Sequence, residues 1–278
     1  MVAIALVGWT CPLTIGALVA LSSILALAGE PTESPPLSAA QIVERNVAAR
    51  GGLESWRGIQ GMVWTGKIEA ADGTAVPFVL AMKRPSKTRF EIHKQGQVQL
   101  RAFDGEVGWK LRPGRNGSPD LQDYTPEEVA FARDGQGFDG PLIDYRAKGN
   151  DIRYAGFETI DGHRAYRLDV KLPSGGLQSY WLDAKTFLEI KYERASRDSR
   201  GRAAVVSVYC RNYQSVNGLQ FPSVLETSAG AQASKLHIEK FLVNPPLEDG
   251  QFAKPVGHRQ RRHDTMSGPR PAAGPNEP

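Results

Sequence analysis

Between residues 62 and 111 the chain is broken again and again by two-residue turn signals: Asp72-Gly73, Arg84-Pro85, Gln95-Gly96 and Asp104-Gly105. The segments they separate, 76–83, 87–94, 97–103 and 106–111, are short and rich in β-branched and aromatic residues, which predicts strands. Ahead of them, Met62, Trp64, Gly66 and Ile68 alternate with Val63, Thr65, Lys67 and Glu69, the two-residue period of a strand. Connections this short leave no room for a crossover helix, so successive strands must be antiparallel neighbours. The pattern resumes at 151–158, 164–172, 177–183, 188–194, 203–214, 218–228 and 234–242, and Asp161-Gly162-His163 reads as another tight hairpin turn. The sum is about a dozen antiparallel strands, a mainly β chain of the α+β class.

Two stretches depart from the strand period. Ser38-Ala39-Ala40-Gln41 has the form of a capping box; Ile42, Val43, Asn46 and Val47 then share one helical face, and Gly51-Gly52 supplies the left-handed stop. The short piece from Leu53 to Trp56 reads as a turn. From Pro113 to Gly149 the strand pattern lapses: Thr125 and Pro126 start a short helix through Arg133, and 139–145 forms a second short helical or irregular piece. Some strands are apolar on both faces, as at 76–82, and others alternate cleanly, as at 166–172. A strongly curved sheet explains the mixture, and its concave face needs a cover. The N-terminal helix and Val129, Phe131, Leu142 and Ile143 of the insertion offer one, giving an incomplete barrel with a helical lid.

Residues 1–28 carry no charged side chain and end in Ala26-Leu27-Ala28, the small-x-small pattern of a signal-peptidase site. They predict export, by a cleaved signal peptide or, since no Lys or Arg precedes the apolar run and the run is long, by an uncleaved anchor. A linker over 29–37, rich in Pro, leads into one domain spanning 38–255, and the Gly-, Pro-, Arg- and His-rich stretch 256–278 reads as a disordered tail. Its cluster of His258, Arg259, Arg261, Arg262 and His263 suits a solvated tail, or contact with anionic headgroups. The formal net charge of +4 is too mild to imply a polyanion, so no nucleic acid is expected. Cys11 and Cys210 are the two cysteines; a cleaved chain keeps one thiol and must hold its fold by its apolar core. Thr10 before Cys11 argues against lipidation there.

Local catalytic or metal-binding motifs are missing from the sequence. His93, His163 and His237 stand singly in or beside strands, and His258 and His263 fall in the tail. There is no His-x-His, His-Glu-x-x-His or Cys-x-x-Cys spacing for a metal and no Gly-x-Ser-x-Gly elbow for a nucleophile. Glu127 and Glu128, adjacent on a helix, do not face one another and suit the dipole of its first turn. Cys210, within Val205-Val206-Ser207-Val208-Tyr209-Cys210, reads as a small apolar strand residue.

Several segments taken in order resemble the periplasmic outer-membrane lipoprotein-sorting proteins of the broad LolA-like superfamily. They are 41–56 (QIVERNVAARGGLESW) followed by Thr65-Gly66, then 140–144 (GPLID), 156–170 (GFETIDGHRAYRLDV), 180–183 (YWLD) before Thr186-Phe187-Leu188, and 243–252 (VNPPLEDGQF). The resemblance covers roughly residues 38 to 255. It implies a curved antiparallel sheet and helical lid enclosing an apolar cavity for acyl chains, in the periplasm. Relatives of this type include lipoprotein and lipid carriers and envelope-stress sensors.

The residues that would line such a cavity are Trp64, Phe78, Leu80, Met82, Phe90, Ile92, Leu100, Trp109, Phe131, Leu142, Tyr166, Leu168 and Tyr180. Any one of them would suit an ordinary core; as a set they suit a pocket, because a single curved sheet with few helices would otherwise leave its concave face wet. The reading is a monomeric periplasmic carrier of lipid or lipoprotein acyl chains, needing no cofactor and catalysing no reaction, with envelope membrane proteins as further partners. An envelope sensor of the same fold that binds a protein partner is the alternative, and an envelope hydrolase with a site spread over distant strands is the third.

Overall fold

The computed structural model describes residues 37–70, 73–114, 118–134, 137–197, 203–229 and 232–255. The leader, Cys11, all of the linker but Leu37, and the basic tail cluster lie outside them. Helix α1 (Ala39–Ala49) opens with the expected reciprocal cap: the Gln41 N–H donates to Ser38 Oγ at 3.3 Å, and the Ser38 N–H donates to Gln41 Oε1 at 2.9 Å. Ile42, Val43 and Asn46 are its buried residues, and Asn46 Nδ2 donates to the Phe187 carbonyl at 2.8 Å, pinning the helix to the loop beyond. Gly51 ends it at φ +109°, and a Cβ there would stand 2.5 Å from the Gly218 carbonyl oxygen, so both backbone angle and close approach require glycine. The turn expected after it is a short helix, α2 (Leu53–Arg57), which buries Trp56.

The strands are β1 (Gly61–Ala70), β2 (Ala75–Lys83), β3 (Lys87–Lys94), β4 (Gln97–Phe103), β5 (Gly108–Pro113), β6 (Pro119–Asp123), β7 (Asp151–Ile160), β8 (His163–Lys171), β9 (Leu177–Asp183), β10 (Glu189–Arg197), β11 (Ala203–Val216), β12 (Leu219–Ala229) and β13 (Gln232–Val243). Among the described residues they form one antiparallel sheet in the order β6-β5-β4-β3-β2-β1-β13-β12-β11-β10-β9-β8-β7. Two meanders, each built of hairpins between chain neighbours, are thus joined by the pairing of β1 with β13. The two free edges, β6 and β7, do not pair, and the sheet stays open. Strand β6 escapes a reading by period because all five of its residues are exposed, so no alternation marks it, and it starts with a proline, as an edge strand tolerates.

One sheet face is covered by the helices. Trp56, Ile59, Met62, Phe78, Phe221 and Phe241 form part of one buried cluster there, which also takes in Phe138 and Ile143 from the insertion. Ile42 and Val43 of α1, with Leu142, Leu168, Val170 and Leu182, belong to a second. A third, small cluster of Leu100, Ala102 and Trp109 lies on the other face: β3 sets Arg101 opposite Phe90, so Leu100, one residue along, points away. The closing segment after β13 covers it, with Phe252 fully buried and its carbonyl accepting the Trp109 indole N–H at 2.9 Å.

The insertion holds helix α3 (Pro126–Asp134), a short 3-10 turn at Gly137–Asp139 and turns up to Gly149. Leu142 and Ile143 are buried as expected, but α3 itself buries no residue and Phe131 is 50 % exposed, so this helix is not part of the core. Its hold is ionic. Glu128 accepts from Lys110 Nζ at 2.7 Å and from Arg101 at 2.8 Å, and it completes a capping box with Thr125.

At the irregular step between Thr65 and Gly66, a Cβ on Gly66 would lie 1.9 Å from the His237 carbonyl oxygen, a backbone atom that cannot swing aside. Gly66→Ala is expected to destabilise the fold by about 1–3 kcal/mol in urea titration, whereas Gly58→Ala, whose Cβ would find its nearest neighbour at 3.5 Å, stays close to wild type. Equal midpoints for the two variants would refute the close approach of β1 to β13. A second expectation concerns pH. Burial opposes the charged form of Glu128, but Lys110, the Thr125 N–H and Arg101 outweigh it and lower its carboxyl from the ordinary 4.5 to about 2. The folded value is the lower one, so the anchor contributes in full above pH 4.5 and is lost as pH falls toward 2. Hydrogen-exchange protection of the α3 amides, corrected for intrinsic rates, should fall over that window, and Glu128→Gln should lose it at neutral pH.

Candidate functional site

Between the sheet and the insertion lies a cavity of about 430 Å³, within the usual range for small-molecule sites. β1 supplies Trp64, β2 supplies Leu80 and Met82, and β12 supplies Phe221 and Leu225. Tyr180, Tyr192, Arg194, Cys210 and Tyr213 come from β9, β10 and β11, while Phe131, Asp134 and the stretch 137–142 form the lid side. The strand pairs explain this grouping. Trp64 stands opposite Leu80, Tyr180 opposite Tyr192, and Cys210 opposite Leu225, and side chains of directly paired residues share a face.

The cavity wall is mostly apolar; several of its polar groups satisfy one another, while the buried Trp64 indole N–H has no hydrogen-bond partner among the described residues. Arg50, at the C-terminal end of α1, lies 3.2 Å from Glu189 Oε1, donates to the Asp139 carbonyl at 3.0 Å and sits 4.3 Å from the Trp56 ring centroid. Tyr213 donates to Glu189 through its hydroxyl, at 2.9 Å to the carbonyl and 3.1 Å to Oε2. Asp139 is held between Arg84 and Lys148, each at 2.8 Å. Burial lowers Lys148, with Asp139 opposing. Tyr180 and Tyr192 stack with centroids 5.5 Å apart; burial raises both phenols, that of Tyr192 to about 12. Burial also pushes the Cys210 thiol up to about 12, with Glu189 adding to it, so this sulfur stays protonated and behaves as a small apolar wall residue.

Of the thirteen residues picked out by sequence, Trp64, Leu80, Met82, Phe131, Leu142 and Tyr180 line this cavity. The other seven are placed elsewhere. Phe78 is packed into the core beside Phe90, their rings 5.7 Å apart, and Ile92 pairs with Phe78 on the same side of the sheet. Leu168 shares the second cluster with Ile42 and Val43, where α1 fills the space a ligand would need. Tyr166 stacks on Phe187 at 5.5 Å, beside Arg45 of α1. Leu100 and Trp109 belong to the opposite face, under the closing segment.

Sequence reasoning did not single out Arg50, Asp139, Glu189, Tyr192, Arg194 or Tyr213. The one local hint is in β10, where Lys191 and Glu193 alternate with Tyr192 and Arg194, so neither face reads as plainly apolar. Among the described residues no group of His, Cys, Asp and Glu has the arrangement of a metal site. His163, His237 and His93 each stand beside a single carboxylate, Asp183 at 3.1 Å, Glu69 at 3.2 Å and Glu91 at 3.5 Å, and none of the three lines the cavity.

No family model matches the sequence, and no curated protein does. Solved structures do resemble it. A LolA superfamily protein from Nitrosomonas europaea is similar with a TM-score of 0.50 at 16% identity, covering 79% of this chain and 99% of that one. A putative outer membrane lipoprotein-sorting protein domain from Vibrio parahaemolyticus is similar with a TM-score of 0.51 at 13% identity, covering 77% of this chain and 95% of that one. The open antiparallel sheet, its helical cover and these two likenesses give one conclusion: the chain has a LolA-like fold.

Proposed function

We propose that this protein is a lipid- or lipoprotein-binding carrier that shields acyl chains in the cavity of its open sheet. The observation that carries the reading is the cavity itself, about 430 Å³ of space walled by Trp64, Leu80, Met82, Phe221 and Leu225, with its thiol and phenols held in their neutral forms. An acyl chain gains about 0.8 kcal/mol for each methylene it removes from water, so such walls bind without any reactive group. The carrier works by exchange: the insertion swings aside, apolar side chains replace the bilayer around the chain, and release follows when an acceptor binds better. No chemistry on the cargo is part of it. The site of action is the cell envelope, supported by the charge-free leader over residues 1–28 and by the likeness to a putative outer membrane lipoprotein-sorting protein domain.

Delipidated protein should take up a fluorescent fatty-acyl probe. Leu80→Glu should abolish uptake while the circular-dichroism spectrum is kept, because Leu80 is half-buried at the cavity wall. Leu168→Glu should instead unfold the protein, since Leu168 is fully buried beneath α1 and a buried unpaired carboxylate is strongly destabilising. Probe binding by Leu80→Glu at wild-type affinity would end the carrier reading.

A further inference from the structure

Arg194 differs from Arg50, the other cation of the cavity wall. Arg50 has Glu189, and Asp139 has Arg84 and Lys148. The third carboxylate of the wall, Asp134 at the end of α3, makes no ion pair of 4 Å or less with Arg194, and neither does any other carboxylate among the described residues. What lies against the guanidinium is the ring of Phe131, 4.3 Å from its carbon to the ring centroid. Burial disfavours the charged form of Arg194, with Tyr192 and Tyr180 opposing. Arginine nonetheless stays protonated in proteins. The result is a partly desolvated cation with no counter-ion among the described residues, which a bound anion would relieve.

The surroundings define what that anion is attached to. Gln178 stands directly opposite Arg194 in the β9–β10 pair and also lines the cavity. Its side-chain oxygen accepts the Tyr180 hydroxyl at 2.9 Å, so its NH2 group is the end left to donate. This end of the cavity is its open rim, where Phe131 is 50% and Leu177 64% exposed. Away from the rim the wall includes Trp64, Leu80, Met82 and Phe221, beside the paired Arg50, Glu189 and Tyr213. Two donors at the mouth and a mostly apolar wall within, its inner charges Arg50, Glu189 and Asp139 already paired, match an oxyanion on an acyl chain, with the chain pointing inward.

We propose that Arg194, assisted by Gln178, is a headgroup site that makes the cavity prefer amphiphiles with an anionic head, a carboxylate or a phosphate ester, over neutral ones of equal chain length. This inference rests on the carrier reading and goes further by naming the class of cargo. Arg194 binds the head directly; Phe131 covers it from the lid, so the head is seated where the insertion closes.

The test uses delipidated full-length protein titrated calorimetrically with three amphiphiles of one chain length: dodecanoate, dodecyl phosphate and dodecyl maltoside. Wild type should bind at least one of the anionic pair about tenfold more tightly than the maltoside, the worth of a charge-assisted hydrogen bond. A preference for dodecanoate identifies a fatty-acid head, and one for dodecyl phosphate a phosphate-headed lipid. Arg194→Gln should bring the ratio to about one, and Arg194→Lys should restore part of it. Equal wild-type affinities for anionic and neutral heads would overturn the headgroup site while leaving the carrier intact, and so would a preference that survives in Arg194→Gln. Binding of none of the three would overturn the carrier reading, and the headgroup site with it.

Discussion

The pairing of β1 with β13, from Met62 opposite Val243 to Ala70 opposite Ser234, brings the first described strand against the last. Every other neighbour relation in the sheet is between strands consecutive in the chain. Closing a loop of that length is costly in entropy and slow, yet without it two separate meanders would each present an unpaired edge and half a core. With it, β6 and β7, consecutive in the chain, fall at opposite ends of one sheet. The segment that joins them must cross the open side. The lid is therefore a consequence of strand order, and its helix α3 needs no buried face of its own because Glu128, tied to Arg101 and Lys110, holds it there.

The same crossing sets the electrostatics of the cavity. Asp139 arrives on the insertion and meets Arg84 from the β2–β3 turn, Lys148 from its own segment and, through its carbonyl, Arg50 from the end of α1. Arg50 in turn meets Glu189 of β10. Charges that would be costly alone in a poorly solvated site are thus matched one against another, which leaves the wall free to be hydrocarbon elsewhere. Arg194 is the cation that this matching passes over.

Much of the fold was legible from local pattern. The capping box at Ser38, the stop at Gly51, the start of α3 and the hairpin turn at Asp161-Gly162 depend on residues a few positions apart, and each stands where the sequence puts it. Strand β9 runs over the expected residues. The unread strand, β6, has no buried face to leave a period. The cavity was half legible. Trp64, Leu80 and Met82 were visible as inward positions of apolar strands, but nothing local distinguishes them from Phe78, two residues before Leu80 on the same face and buried in the core.

What the sequence determines alone is therefore the set of elements, their antiparallel sense and the need for a cover over a curved sheet, because these follow from periods and turns that neighbouring residues enforce. Tertiary structure decides the rest. It turns Leu100 and Trp109 to the far face by strand register, fills the space beside Leu168 with α1, and joins Arg50 to Glu189 while leaving Arg194 without a carboxylate partner among the described residues. Each of these outcomes depends on which distant segments come to lie within a few ångströms of one another, and such distances are set by packing the whole sheet rather than by any stretch of chain.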